Sequence, residues 1–308
     1  MKSKIIRIGT RGSQLALYQA EKVKSEIDLL NLGYTVEIVV IKTKGDKILD
    51  TALSKIGDKG LFTKEIENAL LDKSVDIAVH SLKDLSTDLP KGLKLGAVLK
   101  RGEYRDALVH KAGKKLNELG AGDTIATSSL RRIASLRRLN PQINIVDIRG
   151  NVNTRLKKME DGHCDGMIMA AAGLQRLNLE KHITEIIDPN VLIPAVAQGA
   201  IAIESRTNDA ETNNLLTEIN DPDTYTTIIG ERMFLNTLQG GCQVPVGCFS
   251  EAKEGIITLY GFVSSLDASQ FLTDSVCGNL HQSVELGREL AHKLIDIGGK
   301  DILEKIRT

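Results

Sequence analysis

The chain has 308 residues, 42% hydrophobic and 26% charged, with 40 basic side chains against 40 acidic ones. Such a composition describes a globular protein with material for two or three cores, and its neutral balance excludes a global field that would recruit nucleic acid or an anionic membrane. Aromatic residues are only 3% and tryptophan is missing, which removes the stacking platforms of a single-strand binder.

Taken in chain order, residues Ile5 to Gly9 read as a buried strand, followed by Thr10-Arg11-Gly12-Ser13 and an apolar-periodic helix from Gln14 to Leu30 with Ser13 as its N-cap. Val36 to Lys42 is the next strand, so the opening unit is βαβ and calls for a parallel sheet. From Lys44 to Leu61 glycine and lysine interrupt any periodicity; the stretch is long enough for a functional lid and equally reads as a solvated surface excursion. Phe62 to Leu71 returns to helix. Val75 to Val79 is a short apolar strand running into His80-Ser81-Leu82-Lys83-Asp84. Ser81 and Asp84 stand at capping-box spacing, so helix capping competes with catalysis for Asp84, and His80 reads as a satisfied strand-end residue rather than a base. Leu93 to Leu99 is a further strand, after which the chain leaves the first lobe.

In the second lobe Thr124 to Thr127 is a strand, Ser128 or Ser129 a cap, and Leu130 to Arg138 the helix it starts. Arg131 and Arg132 in the first turn oppose the helix dipole, at a cost of up to about 1 kcal/mol each, and a bound anion gripped by the helix N–H groups and both guanidinium forks is the compensation expected there. Arg137 and Arg138 lie a turn further on and read as a solvated face. The device recurs: Asn144 to Ile148 is a strand, Arg149-Gly150-Asn151 a turn, and Arg155 falls in the first turn of the next helix. Asp165 to Met169 is a strand leading to Arg176. In open α/β sheets ligands sit beyond the carboxyl ends of the strands, where Arg11, Lys83, Arg131, Arg132, Arg149, Arg155 and Arg176 all fall. Planar guanidinium forks suit an extended ligand with several carboxylates, and phosphates equally.

Pro194 ends this lobe, and Ala195 to Ile203 reads as a return crossing whose strand re-enters the first sheet, giving two lobes with a cleft between them. A small α+β unit starts at Asp221-Pro222, with a helix from Tyr225 to Leu238, strands near Phe249 and from Ile256 to Val263, and a helix pair from Ser283 to Ile306. Between its first helix and first strand lies Gly240-Gly241-Cys242-Gln243-Val244-Pro245-Val246-Gly247. Two glycines let a bulky group approach and Pro245 stiffens the exit, a context that suits a nucleophilic or covalently modified thiol and also a small residue beside a tight turn. Cys164, Cys242, Cys248 and Cys277 lack the spacing and histidine partners of a metal site, so no metal is expected. No apolar run reaches membrane-spanning length and the first residues form no signal core, from which a cytoplasmic protein is expected.

Glu231-Arg232-Met233-Phe234, Leu238-Gln239 and the cysteine loop closely resemble the cofactor-attachment signature of the porphobilinogen deaminases, also called hydroxymethylbilane synthases. The resemblance extends over nearly the whole chain through Gly9-Thr10-Arg11-Gly12-Ser13, Lys59-Gly60-Leu61-Phe62, His80-Ser81-Leu82-Lys83-Asp84, Thr127-Ser128-Ser129-Leu130-Arg131-Arg132 and Arg149-Gly150-Asn151. It implies two periplasmic-binding-protein-like α/β lobes with doubly wound mixed sheets, residues 1–99 with 195–218 and residues 100–194, plus a small α+β C-terminal domain over 219–308. It also implies a transferase that joins four porphobilinogen molecules head to tail, losing ammonia each time, to make linear hydroxymethylbilane in tetrapyrrole synthesis. By the same resemblance Cys242 anchors a dipyrromethane primer, and Lys83, Ser129, Arg131, Arg132 and Arg155 hold its acetate and propionate groups. Arg11, Ser13, Arg149, Arg155 and Arg176 receive the incoming or growing pyrroles, and Asp84 is the catalytic carboxylate. Lys55, Lys59 and Phe62 belong to the lid. A carboxylate in that position makes chemical sense, because loss of ammonia creates a cationic azafulvene that arginines alone would destabilise.

Two positions depart from the family pattern. Ala197 stands where many members have glycine, and Gly102-Glu103-Tyr104-Arg105 replaces the commoner Asp-Pro-Arg run; both fall at the expected crossings. The competing reading is a non-catalytic two-lobed binding protein for a polycarboxylate metabolite, which explains the arginines and leaves Cys242 and Asp84 idle. The partners expected are porphobilinogen and the growing oligopyrrole, with no nucleic acid or membrane, and the protein is expected to be a monomer.

Overall fold

The computed structural model describes residues 4–47, 60–241 and 243–307. In chain order the first strands and helices are β1 (Lys4–Thr10), α1 (Gln14–Leu29), β2 (Tyr34–Val40), α2 (Lys44–Lys47), α3 (Lys64–Leu71), β3 (Ile77–Ser81), β4 (Leu93–Val98) and β5 (Asp106–His110). There follow β6 (Thr124–Ala126), α4 (Leu130–Leu139), β7 (Asn144–Val146), α5 (Val152–Glu160), β8 (Gly166–Ala170), α6 (Ala171–Arg176), β9 (Glu185–Ile186) and β10 (Ile201–Arg206). The chain ends with α7 (Ala210–Ile219), α8 (Pro222–Thr237), β11 (Val246–Lys253), β12 (Ile256–Ser264), β13 (Phe271–Asn279), α9 (Ser283–Leu294) and α10 (Lys300–Arg307).

The described residues fall into two compact units, one of 4–47, 60–102 and 199–225, the other of 103–198 and 226–307. The first holds a five-stranded sheet in the order β2-β1-β3-β10-β4, with β1 parallel to β2 and β3, and β10 antiparallel to both neighbours. The second holds a sheet in the order β7-β6-β8-β5-β9, with β6 parallel to β7 and β8, and β5 antiparallel to both neighbours. The two sheets are built alike. In each, the reversed strand is the one laid down after the chain crosses from the other unit: β5 follows residue 102 and β10 follows residue 198. The expected return of the chain into the first sheet is thus what forms β10.

Periodicity explains the layers. Along α1 the buried side chains are Gln19, Ala20, Val23 and Ile27, a helical stripe laid over Ile6, Ile8, Ile77 and Val79 of the strands beneath. Fully buried Ile8, Ile77 and Ile203 each contribute about 1.5–3 kcal/mol, less the entropy of ordering them. On the other face α3 buries Ile66, Ala69 and Leu70 against Val75 and Ala78. A further apolar cluster joins Ile193 to Phe249 and Phe262 of a three-stranded antiparallel sheet, β11-β12-β13, in the second unit. Sequence reading names two strands of that sheet and omits β13, in which only Val276 is buried.

Candidate active site

Parallel strands bring their carboxyl ends to one edge, and that edge carries the charged side chains in both sheets. In the first unit it bears Arg11 after β1 and the Leu82–Asp84 turn after β3. Ser13 caps α1, its Oγ accepting from the Ala16 N–H at 3.3 Å, which fixes the turn that presents Arg11. The Arg11 guanidinium donates through both Nε (3.1 Å) and Nη2 to a single oxygen, Oδ1 of Asp46. The other Asp46 oxygen accepts from Thr43, at 3.2 Å from its N–H and 2.8 Å from its hydroxyl. Burial works to raise the Asp46 carboxyl, but the bonds from Arg11 and Thr43 outweigh it and hold the group below its ordinary value. One face of the guanidinium is covered by the Phe62 ring, with Cζ 4.1 Å from its centroid. The ring lies so close to Gly45 that a Cβ there would stand 2.3 Å from Cε1, so only glycine leaves the ring in place. Asp46 and Gly45 lie on α2, whereas the sequence reading treats the whole of 44–61 as irregular.

After β3 the chain makes a single 3₁₀ turn, Leu82–Asp84, and no capping box forms: Ser81 exchanges hydrogen bonds with Gln19, whose Nε2 donates to its Oγ at 2.8 Å. Asp84 is therefore not spent on a helix cap. Its side chain is exposed and has no polar partner among the described residues. Lys83 beside it is half-buried. His80 is satisfied in the core, its Nε2 3.1 Å from Oε2 of the fully buried Glu204.

In the second unit the edge carries Ser129, Arg131 and Arg132 after β6, Arg149 and Arg155 after β7, and Arg176 after β8. Where a bound anion is expected to balance the two first-turn arginines, the chain itself supplies a carboxylate. Asp106, the first residue of β5 and fully buried, accepts from Arg131 Nη1 at 2.7 Å, from Arg132 Nε at 3.2 Å and from Arg132 Nη2 at 2.6 Å. Gln198 Nε2 adds a further bond at 3.0 Å. Burial would raise the Asp106 carboxyl, but the two guanidinium charges and their hydrogen bonds drive it far below the usual carboxylate range. The two arginines differ. Arg132 has all three nitrogens bonded within the protein, the third to the Ile168 carbonyl at 2.9 Å, whereas Arg131 bonds through Nη1 alone, to Asp106 and to the Ile193 carbonyl at 2.8 Å. Arg131 thus keeps Nε and Nη2 without a partner among the described residues. Ser128 is bonded to Ile148, and the neighbouring Ser129 hydroxyl does not cap its own helix.

Arg155 meets a similar answer on α5, where its Nε donates to the Gly150 carbonyl at 2.8 Å. Gly150 has φ of 118°, a conformation L side chains avoid, and the tight turn it makes allows Asn151 to cap the helix by accepting from Thr154 N–H. Arg137 and Arg138, expected to be a solvated face, are exposed yet engaged: Arg137 donates to the Leu266 carbonyl at 2.6 Å and Arg138 lies 4.3 Å above the Phe271 ring. The backbone at Ala197 shows why glycine suits this position, and nothing in the structure explains the alanine. Ala197 sits at φ 60°, a left-handed conformation that strains a non-glycine residue by about 1–2 kcal/mol, and its N–H donates at 2.8 Å to the fully buried Glu231, whose other oxygen accepts from Ser250. Lys55, Lys59 and Cys242 lie outside the described residues. On either side of Cys242, Gly240 N–H bonds to Leu235 and Val244 N–H to Gly241, while Arg307 donates to the Leu238 and Gln239 carbonyls at the end of α8.

Sequence reasoning missed Asp106 and Asp46, and it named Glu231 in a motif without its role as acceptor for Ala197 and Ser250. A signal for the first was present, since two first-turn arginines demand an anion and Asp106 is the one acid leading into the apolar run Ala107-Leu108-Val109. Among the described residues no group of three or more His, Cys, Asp or Glu could hold a metal ion, and no helix is long and apolar enough to cross a membrane.

Mixed α/β sheets whose strand ends bear arginine forks, an unspent carboxylate and several hydroxyls have the chemistry to hold an anionic ligand, carboxylate or phosphate. The family models "Porphobilinogen deaminase, dipyromethane cofactor binding domain" and "Porphobilinogen deaminase, C-terminal domain" match residues 6–214 and 225–296. Proteins named porphobilinogen deaminase from Syntrophobacter fumaroxidans, Desulforamulus reducens and Syntrophomonas wolfei are 46%, 49% and 48% identical to it, each over 98% or more of this chain and 99% of their own length. The chain belongs to the porphobilinogen deaminase family. Among solved structures, a nutrient-binding protein from Burkholderia cenocepacia aligns over 76% of this chain and 96% of its own with 12% identity and a TM-score of 0.44.

The residues present fit a dipyrromethane. A group bearing several carboxylates finds bidentate donors in the Nε and Nη2 of Arg131, which have no partner among the described residues, in a fork already oriented by Asp106.

Proposed function

We propose that this protein condenses four porphobilinogen molecules head to tail and releases linear hydroxymethylbilane, acting as a cytoplasmic monomer on a primer held through a thioether at Cys242. The observation that carries the reading is Asp84, an exposed carboxylate freed from any capping role, at the same sheet edge as Arg11 and Lys83. At each addition the bond from the aminomethyl carbon of porphobilinogen to nitrogen breaks and the nitrogen leaves as ammonia. A carbon–carbon bond forms at a free pyrrole α-carbon, which gives up its proton; a water releases the finished chain.

When bound, the dipyrromethane supplies the first free α-carbon. Lys83, Ser129, Arg131 and Arg155 bind its acetate and propionate groups, and Arg132 contributes chiefly by holding Asp106. Arg11, Ser13, Arg149, Arg155 and Arg176 orient the incoming pyrroles, while Phe62, with Lys55 and Lys59, keeps water from the reacting carbon. Asp84 carries the chemistry: its carboxylate stabilises the cation left by ammonia and holds the proton that the α-carbon releases.

Intact mass and turnover test this together. The purified parent is expected to carry the mass of two linked pyrroles and Cys242→Ala to lack it, while Asp84→Ala keeps the mass and loses turnover by about 10²-fold or more. An unmodified parent after incubation with porphobilinogen would put the non-catalytic polycarboxylate-binding reading ahead.

A further inference from the structure

Asp46 has no part in the residues carried over from the family, yet it is the acid that Arg11 touches. A guanidinium has two edges able to grip a carboxylate bidentately, the side edge formed by Nε with Nη2 and the end edge formed by Nη1 with Nη2. Asp46 occupies the side edge, with both donors converging on its Oδ1. Phe62 covers one face of the plane. Nη1 has no partner among the described residues, so the end edge is the one left for a ligand.

The arrangement holding Asp46 is itself rigid. Its second oxygen is tied to both the N–H and the hydroxyl of Thr43, a fully buried residue, and Gly45 lets the Phe62 ring seat against α2. Nothing in this network needs the ligand to be present. With about a quarter of each side chain accessible, at 26% for Arg11 and 29% for Asp46, the pair stands at the surface of its unit, where a flexible arginine would otherwise sample many rotamers.

We propose that Asp46 is a positioning residue for substrate binding: it occupies the side edge of Arg11 and, with Phe62 on one face, aims the Nη1–Nη2 edge at a carboxylate of the incoming pyrrole. The inference rests on the role given to Arg11 above. It separates Asp46 from two other roles that the same contact allows, a competitor that substrate must displace and a fold-stabilising ion pair with no bearing on binding. A competitor would lower affinity by its presence; a positioning residue raises it.

The test uses the primer-loaded protein and a non-reacting probe, a pyrrole bearing the acetate and propionate side chains without the aminomethyl group, with its dissociation constant measured by calorimetry and porphobilinogen turnover measured alongside. Asp46→Asn keeps the shape and removes the charge; it is expected to weaken the probe about five- to tenfold and raise KM similarly, with kcat changed by less than about twofold. In an Arg11→Ala background the same substitution is expected to change nothing further, since its effect passes through Arg11. Thr43→Val, which deletes only the hydroxyl that steadies Asp46, should weaken the probe in the same direction by about two- to threefold, and it serves should Asp46→Asn fold poorly. Tighter probe binding in Asp46→Asn makes the residue a competitor and overturns the proposal. Unchanged binding, or losses that add in the double variant, overturns it too. Primer mass keeps the two readings apart: a parent with two linked pyrroles upholds the function even where Asp46→Asn matches the parent, and then only the positioning role falls.

Discussion

Two arginine–carboxylate clusters lie at the ligand edges of the two sheets, and they differ mainly in burial. In the second unit Asp106 is wholly enclosed and takes Arg131, Arg132 and Gln198 together. In the first unit Asp46 takes a single arginine, Arg11, together with Thr43, and about a quarter of the Arg11 and Asp46 side chains is exposed. The pairing is the same, but its consequence is not. Where water is excluded, each partner is bound to stay because leaving would strand a charge; where water enters, the pair contributes little to folding and serves mainly to orient a side chain. An enclosed carboxylate fixes a scaffold from which one arginine, Arg131, still offers two nitrogens. A half-exposed one trims an arginine to a single working edge.

The largest effect should come from breaking the enclosed cluster. Asp106→Asn leaves two buried guanidinium groups without a counter-charge and is expected to cost about 3–5 kcal/mol of stability in denaturant titrations at pH 7. Because the folded-state acidity of Asp106 lies below its unfolded value, its contribution is complete above the ordinary carboxylate range and is lost only as pH falls through the lowered folded value. The gap in stability between parent and Asp106→Asn should therefore stay level from pH 7 down to about 4 and narrow only below that. A gap that closed between pH 7 and 5 would show that Asp106 is not held ionised by the arginines.

A smaller effect separates the two arginines from each other. Arg132 serves Asp106 and the Ile168 carbonyl with different nitrogens, and a lysine ammonium reaches one of those sites at a time. Arg132→Lys should cost about 2–3 kcal/mol of stability, and Arg131→Lys only about 1, since a single nitrogen, Nη1, makes both of its bonds. Retention of the two-pyrrole mass should rank them in the opposite order, because Arg131→Lys removes the open fork. If both properties fell in parallel, the division between strut and ligand holder would be wrong.

How far these clusters could be read in the sequence follows from distance along the chain. The βαβ opening, the Ser13 cap, the return of residues 195–203 into the first sheet and the gathering of basic residues at strand ends all arise from local periodicity and chain direction, so they are legible. The partners of the arginines are not. Asp106 lies 25 residues from Arg131 and reaches it only because β5 runs antiparallel beside β8, a pairing no local pattern announces. The misplaced charge at the start of α4 is legible and points to a bound anion, whereas a carboxylate of the chain itself, Asp106, supplies the balance. Asp46 was hidden differently, in a glycine- and lysine-rich stretch whose lack of periodicity masks the short α2 turn. Asp84 illustrates the converse: capping-box spacing was present, yet Ser81 turns to Gln19 and the box never forms.

The smallest expected effect concerns the exposed pair and its dependence on salt. A partly hydrated ion pair couples by about 0.2–1 kcal/mol, and the Debye length falls from about 10 Å at 0.1 M to about 3 Å at 1 M. A double-mutant cycle on Arg11 and Asp46, read through stability, should therefore give a coupling of that size at low salt and roughly half or less at 1 M sodium chloride. The corresponding cycle on Arg132 and Asp106 should be nearly insensitive, because no ions enter a site whose carboxylate is fully enclosed. Equal salt sensitivity in both would mean that burial does not distinguish them. Persistence of the Arg11 coupling at high salt would have a different meaning: the convergence of Nε and Nη2 on one oxygen, under the Phe62 ring, would then hold by hydrogen-bond geometry rather than by charge.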